Sequence, residues 1–262
     1  MLRLVNTAAL AALTIVGCVS PAAAQSDFQW HGPIATGQSI EIKGINGDVR
    51  ATLASTNEVE VTATRTARRS NPATVRFEVV PHAGGVTICA VYPDAPGREP
   101  NRCEPGAEGH SQTRDNDTMV HFAVGVPYGV GFIGRTVNGE VEGLSLQGSA
   151  EGHTVNGSVR LSTTGLALAS TVNGSINASM GEANWSSRAS FNTVNGGITL
   201  TFPAILNAEL RAETVNGSIT TDFPITATGQ FSRRRLSGTI GGGGPELNLS
   251  TVNGSIKLVK AQ

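Results

Sequence analysis

Charge of either sign is scarce in this chain: 19 Lys and Arg stand against 20 Asp and Glu in 262 residues, a formal net charge of −1. That balance makes no electrostatic case for nucleic acid or an anionic membrane as partner. The apolar stretch at residues 4–16 is too short to span a bilayer as a stable anchor, so no transmembrane segment is expected in the mature chain. The five histidines, His31, His82, His110, His121 and His153, show no ligand spacing, and neither a metal nor any other cofactor is expected. Carboxylates thin out in the second half, where Asp222 is the only aspartate after Asp117 and the seven glutamates from Glu140 to Glu246 are scattered. Acid-driven glycoside cleavage needs two carboxylates converging on one bond. The spacing offers no such pair, so a non-catalytic protein is the preferred reading and a polysaccharide-acting enzyme the alternative.

Cysteine is nearly absent as well, with 3 in the chain. Cys18 lies in an N-terminal segment that reads as an export signal: a positive MLR, the apolar run, and a small-residue site at Ala22-x-Ala24. Cleavage after Ala24, removing residues 1–24, is preferred. Ile15-Val16-Gly17-Cys18 resembles a lipoprotein processing box, so a lipid anchor at Cys18 is the second reading. Cys89 and Cys103 remain, an even pair in an oxidising compartment, and a disulfide between them is expected. The loop they bound, AVYPDAPGREPNR, is rich in Pro, Gly and charge; closing it should contribute about 3 kcal/mol.

What the chain has is alternation and repetition. From 27 to about 127 no helical period appears, while SIEIKG, EVEVTATR, VRFEVV, VTICAVY and TMVHFAVGVP put apolar residues at every second position. From about 131 the tetrapeptide TVNG recurs, starting at Thr136, Thr154, Thr171, Thr193, Thr214 and Thr251, with spacings of 18, 17, 22, 21 and 37. A unit of roughly 20 residues is a solenoid signature. The last gap is about two periods, with Ser237-Gly238 standing where an Asn-Gly is expected, and GINGDV at 44–49 is an isolated cousin. The chain therefore divides into an N-terminal β-strand region with the disulfide loop (25–128) and solenoid repeats (129–262), continuous as one domain.

Asn-Gly between β-formers is the strongest local hairpin signal, but parity argues against it. A two-residue hairpin would send Ile176 to the face opposite Val172. A chain running on through Asn-Gly places Val172, Gly174, Ile176 and Ala178 on one side, and the other copies repeat this. Upstream, Phe191, Leu210, Leu247 and Leu249 sit at odd offsets from the valine, which implies a bend near Thr; Leu166 and Leu168 do not fit. Stacked in parallel, such units recur about every 4.8 Å. The valines and isoleucines are then expected to fill a core. Asn138, Asn156, Asn173, Asn195, Asn216 and Asn253 form a structural ladder of amides. Lys257 and Lys260 would protect a terminal edge. Gly241–Gly244 reads as a tight corner, since no helix follows to supply a phosphate cradle.

These residues resemble the bacterial "putative adhesin" β-strand-repeat family, a domain family of unknown function found in cell-envelope proteins. The similarity runs over 27–259: GINGDV, VHFAVGVPYGVGF leading into RTVNGEVEG, the TVNGSI copies, and LSGTIGGGGPELNLSTVNGSIKL. It implies an all-β fold, a short parallel β-helix or β-roll. The cysteine-bounded insertion departs from the family, as do Ser158, Ser175, Ser218 and Ser255 where an acidic residue is usual. The expectation is an exported envelope protein, periplasmic, outer-envelope-associated or secreted, that contacts a glycan or another protein. Arg233, Arg234 and Arg235 form the one basic cluster and the candidate contact patch.

Overall fold

The computed structural model describes residues 27–181, 185, 187–227 and 232–261; the export-signal residues, Cys18 included, lie outside that range. The first region supplies β1 (Phe28–Gly32), β2 (Ser39–Lys43), β3 (Val49–Leu53), β4 (Val59–Thr66), β5 (Arg76–His82), β6 (Gly85–Val91) and β7 (Met119–Val126). The repeats form β8 (Gly131–Arg135), β9 (Val141–Leu146), β10 (Ala150–His153), β11 (Val159–Thr163), β12 (Ala167–Ser170), β13 (Ile176–Met180), β14 (Ala189–Asn192) and β15 (Ile198–Phe202). The chain ends with β16 (Ala208–Asn216), β17 (Ile219–Thr221), β18 (Ile225–Ala227), β19 (Arg235–Ile240), β20 (Glu246–Asn253) and β21 (Ile256–Lys260).

Two sheets result. Sheet A has the order β1-β4-β7-β3-β9-β11-β13-β15-β21-β17, and sheet B the order β18-β19-β16-β20-β14-β12-β10-β8-β2-β6-β5. Each repeat is a rung that sends one strand to each sheet: β2 and β3, β8 and β9, β10 and β11, β12 and β13, β14 and β15, β20 and β21, β16 and β17. Like strands of successive rungs pair parallel and in register, as in Val159↔Ile176↔Ile198↔Ile256. This is a β-solenoid, and its core is the space between the sheets, lined by Val141, Val159, Ile176, Ile198 and Ile256, all at 0 % exposure. Burying each such side chain contributes about 1.5–3 kcal/mol.

The TVNG motif is the corner between the sheets, not a hairpin, as the bend near Thr implies; what the structure corrects is the inward placement of the motif valine. At the corner the threonine points inward: Thr154, Thr171 and Thr193 are buried, and their Oγ1 atoms donate to the carbonyls of Gly139, Gly157 and Gly174 in the preceding rung at 2.8–2.9 Å. The valines are turned outward and do not fill the core. Val155, Val172 and Val194 are each 38 % exposed and Val215 is 55 %. The inward position goes to the residue whose hydroxyl can satisfy a carbonyl that faces it, and a bend there reverses the parity of everything upstream. The same reversal explains the rung that did not fit: Ala167 and Ala169, at odd offsets, are buried in the core, while Leu166 and Leu168 are only half-buried.

The motif glycines sit where a Cβ has no room. An added Cβ on Gly157, Gly174, Gly196, Gly217 or Gly254 would be driven into the carbonyl oxygen of the glycine one rung below. Positive φ is not the reason in these copies. Only Gly47, in the GINGDV corner, has it, at 114°.

Chain order and rung order part company near the C-terminus. β20 and β21 insert between the β14/β15 rung and the β16/β17 rung. Lys257 and Lys260 therefore lie on a strand flanked on both sides, and the sheet A edge is the three-residue β17. Ser237-Gly238 is not a degenerate corner either. It lies within β19, which pairs antiparallel with β16 and covers the sheet B edge of the last rung. At the other end β6 and β7 pair parallel with β2 and β3, and β5, β4 and β1 add antiparallel edges.

Besides Phe132 and Phe191 inside the stack, aromatic rings cluster at both ends. Phe28 and Phe77, from the two edge strands, stack at 4.6 Å with Phe122 edge-on to Phe77 at 5.9 Å. Trp185, Phe202 and Phe223 pack in sequence at 5.9 and 6.3 Å at the far end. Large rings close the openings that a stack of aliphatic columns would leave to water.

Candidate functional site

A solenoid of this kind presents to solvent its two outer sheet faces, its corners and its ends. The corner carries the asparagine column. Asn138 donates to Asn46, Asn156 to Asn138, Asn173 to Asn156 and Asn195 to Asn173, each Nδ2 to Oδ1 at 2.8 Å. Asn253 then donates to Asn195 at 2.7 Å and Asn216 to Asn253 at 2.8 Å. Every amide points its donor the same way along the axis. These side chains are largely exposed, each interior amide donates one bond and accepts one along the ladder, and what the column offers is fixed geometry along the corner.

The outer face of sheet B near its N-terminal end is covered by the cysteine loop. Cys89 and Cys103 are joined by a disulfide. Beneath the loop lies a buried carboxylate, Glu41, whose Oε1 accepts from Arg135 Nε at 2.7 Å and whose Oε2 accepts from Thr87 Oγ1 and from the backbone N–H of Gly106. Lys43 Nζ donates to the carbonyls of Glu104 and Glu108, and burial pushes its pKa down against the opposing pull of Glu41. A buried charge with this many partners is an anchor for the loop. Asp117, where the loop returns to β7, accepts backbone N–H bonds from Ser70 at 2.9 Å, Arg69 at 3.1 Å and Arg68 at 3.3 Å. Those donors, Ser70 foremost, hold its carboxyl at about 2 against an ordinary 3.8. A depressed carboxylate stabilises the fold above its unfolded pKa and stops doing so as pH falls through the folded one. The wild type should therefore lose this contribution between about pH 4 and 2, while Asp117→Asn lacks it throughout. A melting-temperature profile in which the two proteins differ by the same amount at pH 2 and pH 6 would sink that assignment.

Beyond the loop, register aligns Arg135, His153, Ser170 and Asn192 across β8, β10, β12 and β14. His153 Nδ1 lies 2.8 Å from Ser170 Oγ, and its Nε2 3.4 Å from Glu151 Oε2. The histidine hydrogen bond holds the Glu151 pKa low, with Arg135 adding a smaller pull. Sequence spacing offers only the Glu151–His153 pair, two residues apart on β10; Arg135, Ser170 and Asn192 join it through rung-to-rung register.

The C-terminal end holds two grooves that share Glu213 and Arg235. One, of about 500 Å³, is lined by Glu209, Arg211, Glu213, Arg235, Ser237 and Glu246 among others. Its carboxylates are engaged: Glu209 accepts from Thr239, Glu213 pairs with Arg235 at 2.9 Å, and Glu246 pairs with Arg188 and Arg211. The other, of about 450 Å³, lies between the last corners and the turn at Ser232, with Arg234, Arg235, Ser250, Val215 and Val252 in its walls. The Arg233 and Arg234 carbonyls accept the N–H groups of Ile219 and Thr214 at 3.0 and 2.8 Å, so this segment straps the last rung. The arginine side chains stay exposed.

Fold and surfaces define a two-sheeted parallel β-solenoid with sealed ends and a strapped terminal rung. Residues 138–259 match the family described as Toastrack DUF4097, a domain of unknown function, in accord with the adhesin-like resemblance. Two solved structures are similar over most of their length. A "putative cell adhesion protein" from Clostridium sporogenes shares 9 % identity at a TM-score of 0.44, covering 89 % of this chain and 99 % of its own. A "putative adhesin" from Bacteroides fragilis shares 14 % at a TM-score of 0.35, covering 88 % and 96 %. No curated protein matches the chain.

Proposed function

We propose that this is an exported cell-envelope protein whose solenoid makes contacts, to a glycan or to another envelope protein, and catalyses nothing. The observation that carries the reading is the continuous hydrogen-bonded stack, from Asn46 to Asn216, that holds open grooves and outer faces in fixed geometry. The Cys89–Cys103 disulfide, buried against sheet B, supports an oxidising compartment. The apolar run at 4–16 with Ala22-x-Ala24 supports export by a cleaved signal, with the lipid anchor at Cys18 as its rival. The two regions, 25–128 and 129–262, act as one unit, since β2 and β3 of the first stack on β8 and β9 of the second. Immobilised mature protein should retain a defined component from envelope extract that a solenoid with scrambled surface charge does not. Failure to retain anything in repeated extractions would remove the reading. Intact mass separates the two maturation routes: an N-terminus at Gln25 fits cleavage, a diacylated Cys18 the anchor.

The second reading, a polysaccharide-acting enzyme, has the groove with Glu209, Glu213 and Glu246 in its favour. Its carboxylates are tied to Thr239 and arginines. Release of reducing ends from envelope polysaccharide, abolished in Glu209→Gln or Glu246→Gln, would revive it.

A further inference from the structure

Resting on that contact-making reading, we propose that the groove beneath the Ser232–Arg235 strap is the contact site and that its partner is an anionic saccharide unit of an envelope polymer. Three features meet there. The first is charge: Arg234 and Arg235 face the groove with Glu213 as the one acid in its wall, and Arg235 is already paired with Glu213. Arg234 has no acidic partner among the described residues, so its guanidinium donors remain for a carboxylate or phosphate, and Arg233, beside it on the strap but outside the groove wall, adds positive charge nearby. The second is an apolar wall. Val215 and Val252, the motif valines of the last two rungs, are 55 % and 37 % exposed and stand side by side where no further rung covers them. Such a surface suits the C–H face of a sugar ring. The third is hydroxyl chemistry, from Ser232 and Ser250. About 450 Å³ lies in the range of small-ligand sites.

The strap is also pre-organised. Its backbone is fixed by Ile219 N–H to Arg233 O, Thr214 N–H to Arg234 O, and the bonds of the Arg234 and Arg235 N–H groups to Ser232 Oγ at 3.2 Å. The guanidinium groups therefore start from fixed Cα positions, so binding has to order the side chains but not the backbone. Since Arg233 and Arg234 serve the fold through backbone atoms, their side chains can be exchanged without loosening the rung.

The test uses the mature protein and three probes: cellobiouronic acid, its neutral counterpart cellobiose, and inorganic phosphate. Cellobiouronic acid should bind, with affinity falling as NaCl is raised. Arg233→Ser/Arg234→Ser should weaken it about tenfold or more, the loss of one charge-assisted contact. Ser250→Glu, which places a like charge in the groove, should do the same. Lys257→Ser, on the outer face of sheet A, should change nothing. Equal binding of cellobiose, tighter binding of phosphate than of the disaccharide, or unchanged affinity in both groove variants would each overturn the site. Retention of envelope material by Arg233→Ser/Arg234→Ser at the wild-type level would remove this groove and leave the contact-making function standing.

Discussion

Gly174→Ala should lower the stability of the protein by about 3 kcal/mol or more, a fall of roughly 6–12 °C in melting temperature. The added methyl would meet the carbonyl oxygen of Gly157, with the Ser158 nitrogen beside it. Both are backbone atoms and cannot rotate away, so two rungs must separate and the in-register pairs on either side stretch with them. The effect should exceed that of either neighbour in the corner. Asn173→Ala breaks two exposed amide links, each worth about 0.5–1.5 kcal/mol at most. Thr171→Val keeps the buried volume and loses one hydrogen bond to the Gly157 carbonyl. Gly125→Ala, in β7, is the control: its Cβ would meet nothing closer than 3.5 Å, and its melting temperature should hardly move. A Gly174→Ala protein that melts with the Gly125→Ala protein would show that the rungs are not packed as tightly as the glycine column requires.

Removing the disulfide should be the other large effect. Cys89→Ser/Cys103→Ser is expected to cost about 2–5 kcal/mol. The bond joins the loop to β6, a strand buried on both faces, and the loop covers Glu41. Once the loop can lift, the carboxylate loses the Gly106 N–H and Lys43 loses its two carbonyl acceptors, so the damage spreads beyond chain entropy. Limited proteolysis should then cut between residues 93 and 117, where the oxidised protein resists. The wild type should itself be slow to respond to reductant, since Cys89 is 2 % and Cys103 9 % exposed. Unchanged proteolysis and melting in the double variant would mean that Glu41 and Lys43 hold the loop without help.

Much of the fold was legible because a solenoid writes its period into the chain. The six TVNG copies and the branched aliphatic residues after them specified a parallel stack with a polar corner, and their spacing specified one rung per copy. Parity went wrong at a single point. Thr and Val can both sit inward in a strand, and only the position of the Gly157-type carbonyls decides that Thr does. That choice turned the valines outward and made Ala167 and Ala169 the core residues of the rung whose leucines did not fit the pattern. The surface groups were legible only in part. Arg233–Arg235 was a visible cluster, but the pairing of Arg235 with Glu213 and the strap over the last rung depend on β19 running antiparallel to β16. Glu41 with Arg135, and His153 with Ser170, carry no sequence mark, since each pair spans neighbouring rungs; only Glu151, two residues from His153 on β10, is a local partner.

By itself, then, the sequence determined the all-β class, the parallel stacking and the corner chemistry, because each is a local consequence of residue type repeated at a fixed interval. Tertiary structure alone decided the order of the last rungs, where β20 and β21 insert between β15 and β17 and deprive Lys257 of the edge it seemed placed to protect. The physical reason is that successive corners are nearly identical. Any TVNG rung can donate its Asn, Thr and Gly bonds to any other, so local pairing energies do not distinguish one stacking order from another. Which rung ends the stack is settled by what covers it, here β19 with β18 beside it, the strap at 232–235 and the aromatic plug of Phe202 and Phe223.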